Sequence, residues 1–365
     1  MDKWTYISPV GNGSAHTRFQ EKPYYSEGLY DLNHGLYAWM VPNGSWGESN
    51  AGLIVGDGES LLVDTLWDLT YTRAMLDGMQ TLTNQAPLRT VINTHADGDH
   101  WFGNQLVGSA TIITSAASLQ EMYHTKPQSL ILLGKLGQWC NRLGFIPGAG
   151  QVGHWFQNMV APYDFASVVP QFPTQTFSGT LTLTIGGREV QLIEVGPAHT
   201  QGDLMVYVPD AKTLFSADIV FIGSTPVMWA GPVENWIAAL DRILALDVDT
   251  IVPGHGPITD KAGVQQVKDY WTFVQAAVRQ QYEAGRSPEQ AAQEIALSAA
   301  FQEQFFAAWN SPERIMTSTH TIYRQLNGQT TPPSVPQLIN ILRKQALLAH
   351  RLPEAQPAVM RKPTH

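Results

Sequence analysis

The sequence predicts a layered α/β fold with a helical insertion and a helical C-terminal extension. Three observations lead there: short β-rich runs bounded by turn residues over 28–93, a second series of such runs over 181–252, and helical spacing of apolar residues between and after them. The chain, at 365 residues, exceeds a minimal single core but suits one layered domain with helical additions. With 44% hydrophobic and only 15% charged residues, it has ample material to bury and no disordered character.

Residues 1–27 are rich in Gly, Pro and Tyr without periodicity and read as an N-terminal arm. Between Gly28 and Thr65 three strand-like runs, 35–41, 51–55 and 60–63, are separated by Pro42-Asn43-Gly44 and Gly56-Asp57-Gly58, which predicts an antiparallel sheet. Met75, Leu76, Met79 and Leu82 give 69–84 a helical face. Residues 89–93 and 111–114 read as short buried strands, and Ser115 is placed to cap a helix. The stretch 118–172 is a long insertion of helical pattern with Gly breaks and many aromatics, among them Trp139, Trp155, Phe156, Tyr163 and Phe165. Strands resume at 181–185, 189–195, 204–208 and 213–216; a helix at 233–246 and a strand at 250–252 follow. From Lys261 the pattern is helical to the end, with amphipathic runs at 264–282, 288–308 and 312–326 and a break at Pro332-Pro333-Ser334-Val335-Pro336. The organisation predicted is an arm over 1–27, an α/β domain over 28–262 containing the insertion 118–172, and a helical extension over 263–365.

Four motifs fall at the ends of predicted strands: Thr94-His95-Ala96-Asp97-Gly98-Asp99-His100, Gly196-Pro197-Ala198-His199-Thr200-Gln201-Gly202-Asp203, Phe215-Ser216-Ala217-Asp218, and Val252-Pro253-Gly254-His255-Gly256. Alternate residues of a short extended turn can aim their side chains at one point. Imidazole and carboxylate together suit divalent transition metals, and a carboxylate can bridge two of them. Each motif alone has a plainer reading: Asp218 as a helix cap, Asp64 as a cap for the turn at Thr65, Gly254-His255-Gly256 as a tight turn. His16, His34, His124, His154, His320, His350 and His365 lie in no such motif and read as ordinary surface or core histidines. Four motifs in one chain, in this order, are what a metal site needs and what chance seldom supplies.

The set resembles the signature of the metallo-β-lactamase superfamily, His-x-His-x-Asp-His followed by a distant His, an Asp and a His, over roughly residues 30–260. The resemblance implies an αββα sandwich with two divalent metal ions at one edge. His95, Asp97 and His199 would sit on the first metal, and Asp99, His100 and His255 on the second. Asp218 would bridge them, and Asp64 would support the site through hydrogen bonds to the ligands. Asp97 departs from the pattern, standing where the family usually has its second histidine. A third carboxylate makes the site harder and more anionic, so zinc is the expected metal with iron or manganese raised beside it.

The resemblance implies a binuclear hydrolase in which a metal-bound hydroxide attacks a small, partly apolar or aromatic electrophile: an ester, lactone, thioester or, by hydrolytic dehalogenation, an aryl ring. Asp99 would orient the hydroxide and pass a proton to the leaving group. The aromatic insertion would cover the site, with Trp101, Phe102, Trp155, Trp229 and Trp236 as walls. The competing reading is a di-iron redox protein, since the chain also resembles the flavodiiron core, whose motif has an acidic second ligand; no flavin-binding domain is visible beside it.

The net charge of −9, from 22 basic and 31 acidic residues with no basic cluster, speaks against a nucleic-acid partner. No apolar run of spanning length appears, and Met1-Asp2-Lys3-Trp4-Thr5-Tyr6 has no signal core, so no membrane partner and cytoplasmic residence are expected. A homodimer is the general expectation for an enzyme rather than something these residues indicate. The single cysteine, Cys140, reads as a buried thiol. Gly148-Ala149-Gly150-Gln151-Val152-Gly153 matches the dinucleotide fingerprint as a string but follows no strand, so it reads as a hinge in the insertion. Asn12-Gly13-Ser14 and Asn43-Gly44-Ser45 read as turns.

Overall fold

The computed structural model describes residues 4–9 and 16–352. Eight strands form the first sheet in chain order: β1 (Thr5–Pro9), β2 (Gly28–Asp31), β3 (Leu36–Met40), β4 (Ala51–Val55), β5 (Ser60–Val63), β6 (Leu88–Ile92), β7 (Thr111–Ser115) and β8 (Gln175–Phe177). Pairing is antiparallel from β1 to β5 and parallel from β5 to β8. Helix α1 (Leu69–Gln85) makes the crossover from β5 to β6, and α2 (Ala116–Met122), α3 (Pro127–Arg142) and α4 (Ala149–Val160) lie between β7 and β8. The second sheet holds β9 (Thr180–Ile185), β10 (Arg188–Glu194), β11 (Leu204–Val208), β12 (Thr213–Phe221) and β13 (Thr250–His255), with α5 (Val233–Ala245) between the last two. The helices α6 (Lys261–Glu283), α7 (Pro288–Ala296), α8 (Ala299–Gln302), α9 (Ile315–Leu326) and α10 (Val335–Ala349) complete it.

Side-chain alternation explains the layering. In β5, Leu61 and Val63 point into a core shared with Val190, Leu192, Val206 and Phe215 of the second sheet, while Leu62 points the other way, to Met75 and Met79 of α1. In β11, Leu204, Val206 and Val208 face that shared core, and Met205 and Tyr207 face the layer containing Ala239, Leu240, Val264 and Val267 of α5 and α6. The result is the predicted αββα sandwich. Gly52 sets the spacing between the sheets: a Cβ there would overlap the ring of Phe215. Asp68 starts α1 by accepting from the Tyr71 backbone N–H at 2.9 Å.

Several boundaries differ from expectation. Part of the supposed arm is β1, which gains its order by pairing with β2. The strand β12 runs on to Phe221 and β13 to His255, so Asp218 lies inside a strand rather than after one. The run 288–308 breaks at Leu297, where Ser298 caps α8 by accepting from the Phe301 N–H. Cys140 is only half-buried on α3, not in the core. Gly148 adopts φ +80° as the residue before α4, a place with no strand ahead of it. Asn43 and Ser45 are buried, with the Asn43 side chain bonded to Lys22 O and Tyr24 N; Asn12 to Ser14 and His365 lie outside the described residues. No described helix is long and apolar enough to cross a membrane.

Candidate metal centre

Asp64, at the end of β5, takes the left-handed backbone conformation (φ 63°), anchored by its N–H on Ile92 O at 2.8 Å. This turns its buried carboxylate toward the loop after β6. There it accepts from Thr94 N (2.7 Å), Thr94 Oγ1 (2.7 Å) and His100 Nδ1 (2.8 Å). The Thr94 hydroxyl, its proton committed to Asp64, accepts from His95 Nδ1 at 3.0 Å. His199 Nδ1 donates to Val227 O at 2.7 Å. In all three rings Nδ1 faces an acceptor and so carries a proton, which makes the inward-facing Nε2 the nitrogen that would be free for a metal. His255 is held by Phe221, stacked at 5.0 Å between centroids and 3° between planes.

The inward atoms converge. His100 Nε2 lies 3.2 Å from Asp218 Oδ1 and 3.8 Å from Asp99 Oδ2; His255 Nε2 lies 3.4 Å from both Asp99 Oδ2 and Asp218 Oδ2. His199 Nε2 lies 3.1 Å from Asp97 Oδ2 and 3.3 Å from Asp218 Oδ2, and His95 Nε2 lies 3.7 Å from Asp218 Oδ2. Among the described residues three ligand groups form, each with its atoms within 4.8 Å of one another: His95, Asp97 and His199; Asp99, His100 and His255; and His95, His100 and Asp218. Asp218 stands between the other two groups.

These residues fit divalent metal ions. The buried His95 Nε2, His100 Nε2 and Asp218 Oδ1 have no hydrogen-bond partner, an arrangement that costs stability unless something else satisfies them. The electrostatics carry the same strain. Burial disfavours charge on every ring, and His95, beside two other imidazoles, is held well below the usual histidine range. For His199, burial is outweighed by the hydrogen bond to Asp97 and the charge of Asp218, which bring it up to about 10. Burial would raise the Asp218 carboxyl, but His255, His100 and His95 hold it well below the usual range. Without metal, the cluster is thus a knot of imidazolium–carboxylate pairs; bound cations replace those protons.

The backbone around the cluster is fitted to it. At Gly254 a Cβ would overlap Asp218 Oδ1, so only glycine lets β13 pass so close. Ala217, at φ 46°, marks an irregularity in the β12–β13 register just before Asp218. Ser49 Oγ donates to Asp99 O at 2.7 Å, and Asn50 Nδ2 ties Pro253 O (3.0 Å) to Gly256 O (2.8 Å). Asp203 folds the turn bearing His199 by accepting from Ala198 N, Thr200 N and Thr200 Oγ1, the last at 2.6 Å; burial pushes its carboxyl up to about 6. Its spacing from Thr200 within the second motif was a readable turn signal, whereas nothing in the sequence marked Ser49 or Asn50.

One side of the cluster meets solvent. The Asp97 side chain is 34% exposed, against 11% for Asp99 and 5% or less for the other ligand candidates. Trp229 Nε1 donates to Asp97 Oδ2 at 2.9 Å, and the Trp229 ring lies 6.4 Å from that of Trp46, both partly exposed. Glu121, bonded to Gln201 N, borders Asp97, and burial raises its carboxyl to about 7. Of the five aromatic residues expected as walls, only Trp229 stands at this opening. Trp101, Phe102, Trp155 and Trp236 are fully buried. Trp101 is turned to Ala96 O and Phe172, and Trp236 backs His199 edge-on at 5.7 Å. Trp155 reaches the opening only by supporting Trp46, at 5.8 Å. Of the ordinary histidines, His16, His34, His124, His154, His320 and His350 enter none of the ligand groups.

This ligand constellation on an αββα sandwich is that of one family, and the match extends to sequence: the metallo-beta-lactamase superfamily model covers residues 44–255. The chain belongs to that superfamily. It is 28% identical over 209 residues to the 2,4-dinitroanisole O-demethylase subunit alpha of Nocardioides sp., covering 55% of this chain and 51% of that protein. It is 24% identical over 256 residues to a linear primary-alkylsulfatase of Pseudomonas sp., covering 65% and 48% respectively. The stereoselective inverting sec-alkylsulfatase of Pseudomonas sp. shares the fold at a TM-score of 0.59 and 17% identity, over 82% of this chain and 50% of that one. The chain thus spans about half the length of these relatives.

Proposed function

We propose that the protein is a binuclear metal-dependent hydrolase acting on a small, uncharged, flat substrate such as an aryl ester, lactone or electron-poor aryl ether. The observation that carries this is the convergence of buried, unpartnered Nε2 and carboxylate oxygens on one volume that opens beside Asp97. His95, Asp97 and His199 would hold the first ion, Asp99, His100 and His255 the second, with Asp218 between them. Two bound ions, zinc foremost, would supply a hydroxide at neutral pH and a Lewis acid for the electrophile. Asp99 would orient the attacking oxygen and carry the proton to the leaving group. Trp46 and Trp229 would flank a flat apolar body. Among the relatives, the named substrate 2,4-dinitroanisole is uncharged and aromatic while an alkyl sulfate is anionic; the opening suits the first kind.

The test combines metal analysis with a substrate pair, 4-nitrophenyl acetate and 4-nitrophenyl sulfate. Two divalent ions per chain, with ester turnover lost to chelation and restored by zinc, is the expected result. Turnover of the sulfate in preference to the ester would overturn the substrate class. Fewer than one metal ion per chain would overturn the centre, and activity requiring iron and consuming oxygen would move the assignment to the redox reading.

A further inference from the structure

The loop between β12 and α5 is gripped from two sides. On the metal side, His199 Nδ1 donates to Val227 O at 2.7 Å, and the N–H groups of Trp229 and Ala230 both donate to His199 O, at 2.9 and 3.1 Å. Gly231 N donates to Ala198 O at 2.7 Å, and Trp229 Nε1 reaches Asp97. The same short segment therefore sets the tautomer of His199 and holds one carboxylate oxygen of Asp97.

On the other side the loop is held by the C-terminal helical region. Thr225 N donates to Asn310 O at 2.8 Å, and Arg314 Nη1 donates to Thr225 O (2.9 Å) and Ser224 Oγ (3.1 Å). Ser318 Oγ accepts from Met228 N at 3.2 Å, Thr321 Oγ1 donates to Met228 O at 2.8 Å, and Gln325 Nε2 donates to Ala230 O. Arg314, Ser318, Thr321 and Gln325 are spaced i, i+4, i+7, i+11, which is one stripe along α9 and the residue before it. A polar stripe turned inward is the reverse of an ordinary amphipathic helix, and here each member meets a group of this one loop. A covered loop must find partners for its N–H and C=O groups, and α9 provides them at Thr225, Met228 and Ala230.

We infer that the polar stripe of α9 is part of the metal centre at one remove: it positions His199 and, through Trp229, Asp97, and so selectively supports the first metal group. The second group, Asp99, His100 and His255, draws on Asp64, Ser49 and Phe221, and its bond to this loop, Ile222 N to His255 O at 3.0 Å, lies outside the stretch 224–230 that α9 and Arg314 hold. This rests on the two-metal reading above and adds that the first ion depends on α9 in a way the second does not, although both share the support of Asp64.

The test is zinc titration of metal-depleted protein in competition with a chelator, comparing wild type with Thr321→Val, Ser318→Ala and a control, Thr317→Val. Thr317 lies on the same helix but bonds Gln345, at 2.6 Å, away from the loop. The expected result is a wild type that binds two ions, and Thr321→Val and Ser318→Ala proteins in which one binding step weakens by about 10- to 100-fold, as lost support for a ligand usually does, while the other step and the Thr317→Val control stay within about twofold. A metal-free measurement accompanies it: in the Thr321→Val protein the Trp229 and Ala230 amides, bonded to His199 O, should exchange hydrogen faster than in the control. Equal weakening of both steps, an equal effect of Thr317→Val, or no change at all would overturn the inference while leaving the two-metal reading intact. A wild type that binds no zinc would sink both.

Discussion

Replacing Asp64 by asparagine should weaken metal binding at both groups at once. The substitution keeps size and shape, and asparagine tolerates the left-handed backbone at φ 63°. It changes only what the second oxygen can do. In the native protein one carboxylate oxygen accepts from Thr94 N while the other accepts from both Thr94 Oγ1 and His100 Nδ1. An amide that keeps its oxygen for Thr94 N presents an NH2 to the other two groups. His100 Nδ1 must then accept, which moves its proton to Nε2 and into the ligand position. The Thr94 hydroxyl, no longer donating to residue 64, is free to donate to His95 Nδ1, which reverses that ring as well. One ligand in each metal group is thus placed in the wrong tautomer. Loss of one such supporting contact costs about 10- to 100-fold in metal affinity, or roughly 1.4–2.7 kcal/mol, and here the loss applies to both ions. Chelator-competition titration of the two steps, with circular dichroism to confirm the fold, measures it. Asparagine protein that holds both ions at wild-type affinity would refute the tautomer argument.

Three further outcomes follow from the geometry. Gly254→Ala should fold with about 1–3 kcal/mol of overpacking cost and lose metal content, because the new Cβ displaces Asp218 Oδ1; elemental analysis showing two ions per chain would contradict that. Asp97→His should raise the preference for zinc over manganese, since an imidazole replaces the exposed hard ligand; competition between the two ions reads the ratio, and an unchanged ratio removes Asp97 as a ligand. Metal-free protein should lose stability as pH rises from 5 to 8. Burial pushes the Glu48 carboxyl from 4.5 up to about 8, so the folded state holds that proton more tightly and its contribution, full below about 4.5, disappears through about 8. The slope for one such proton approaches about 1.4 kcal/mol per pH unit, and Glu48→Gln should flatten urea midpoints across that range; an unaltered slope would place the effect elsewhere.

The sandwich and the ligand set were readable because both are local signals. The apolar run Leu61-Leu62-Val63 marks a strand buried on both faces within four residues, and His95 to His100 packs four ligand candidates into one turn. Tertiary pairing was not readable in the same way. The strand β1 has order only because β2 lies beside it. Large aromatics serve equally as core and as wall, so Trp101, Phe102, Trp155 and Trp236 looked the same in sequence as Trp229; only their surroundings separate them. Trp46, which lies across the opening from Trp229, carried no motif at all. In α9 the apolar residues suggested packing, while the polar stripe that meets the loop was hidden among residues that any exposed helix face displays.

The graded exposure of the ligands has a kinetic meaning. An ion arriving from solvent would meet Asp97 first, because its side chain is 34% exposed against 11% for Asp99 and 5% or less for the histidines. On the two-metal reading, the ion held by Asp97 would be the one in readier contact with solvent. Pulse exchange with isotopically labelled zinc should then show one fast ion and one slow ion. Equal exchange of the two would mean that the exposure of Asp97 does not govern release.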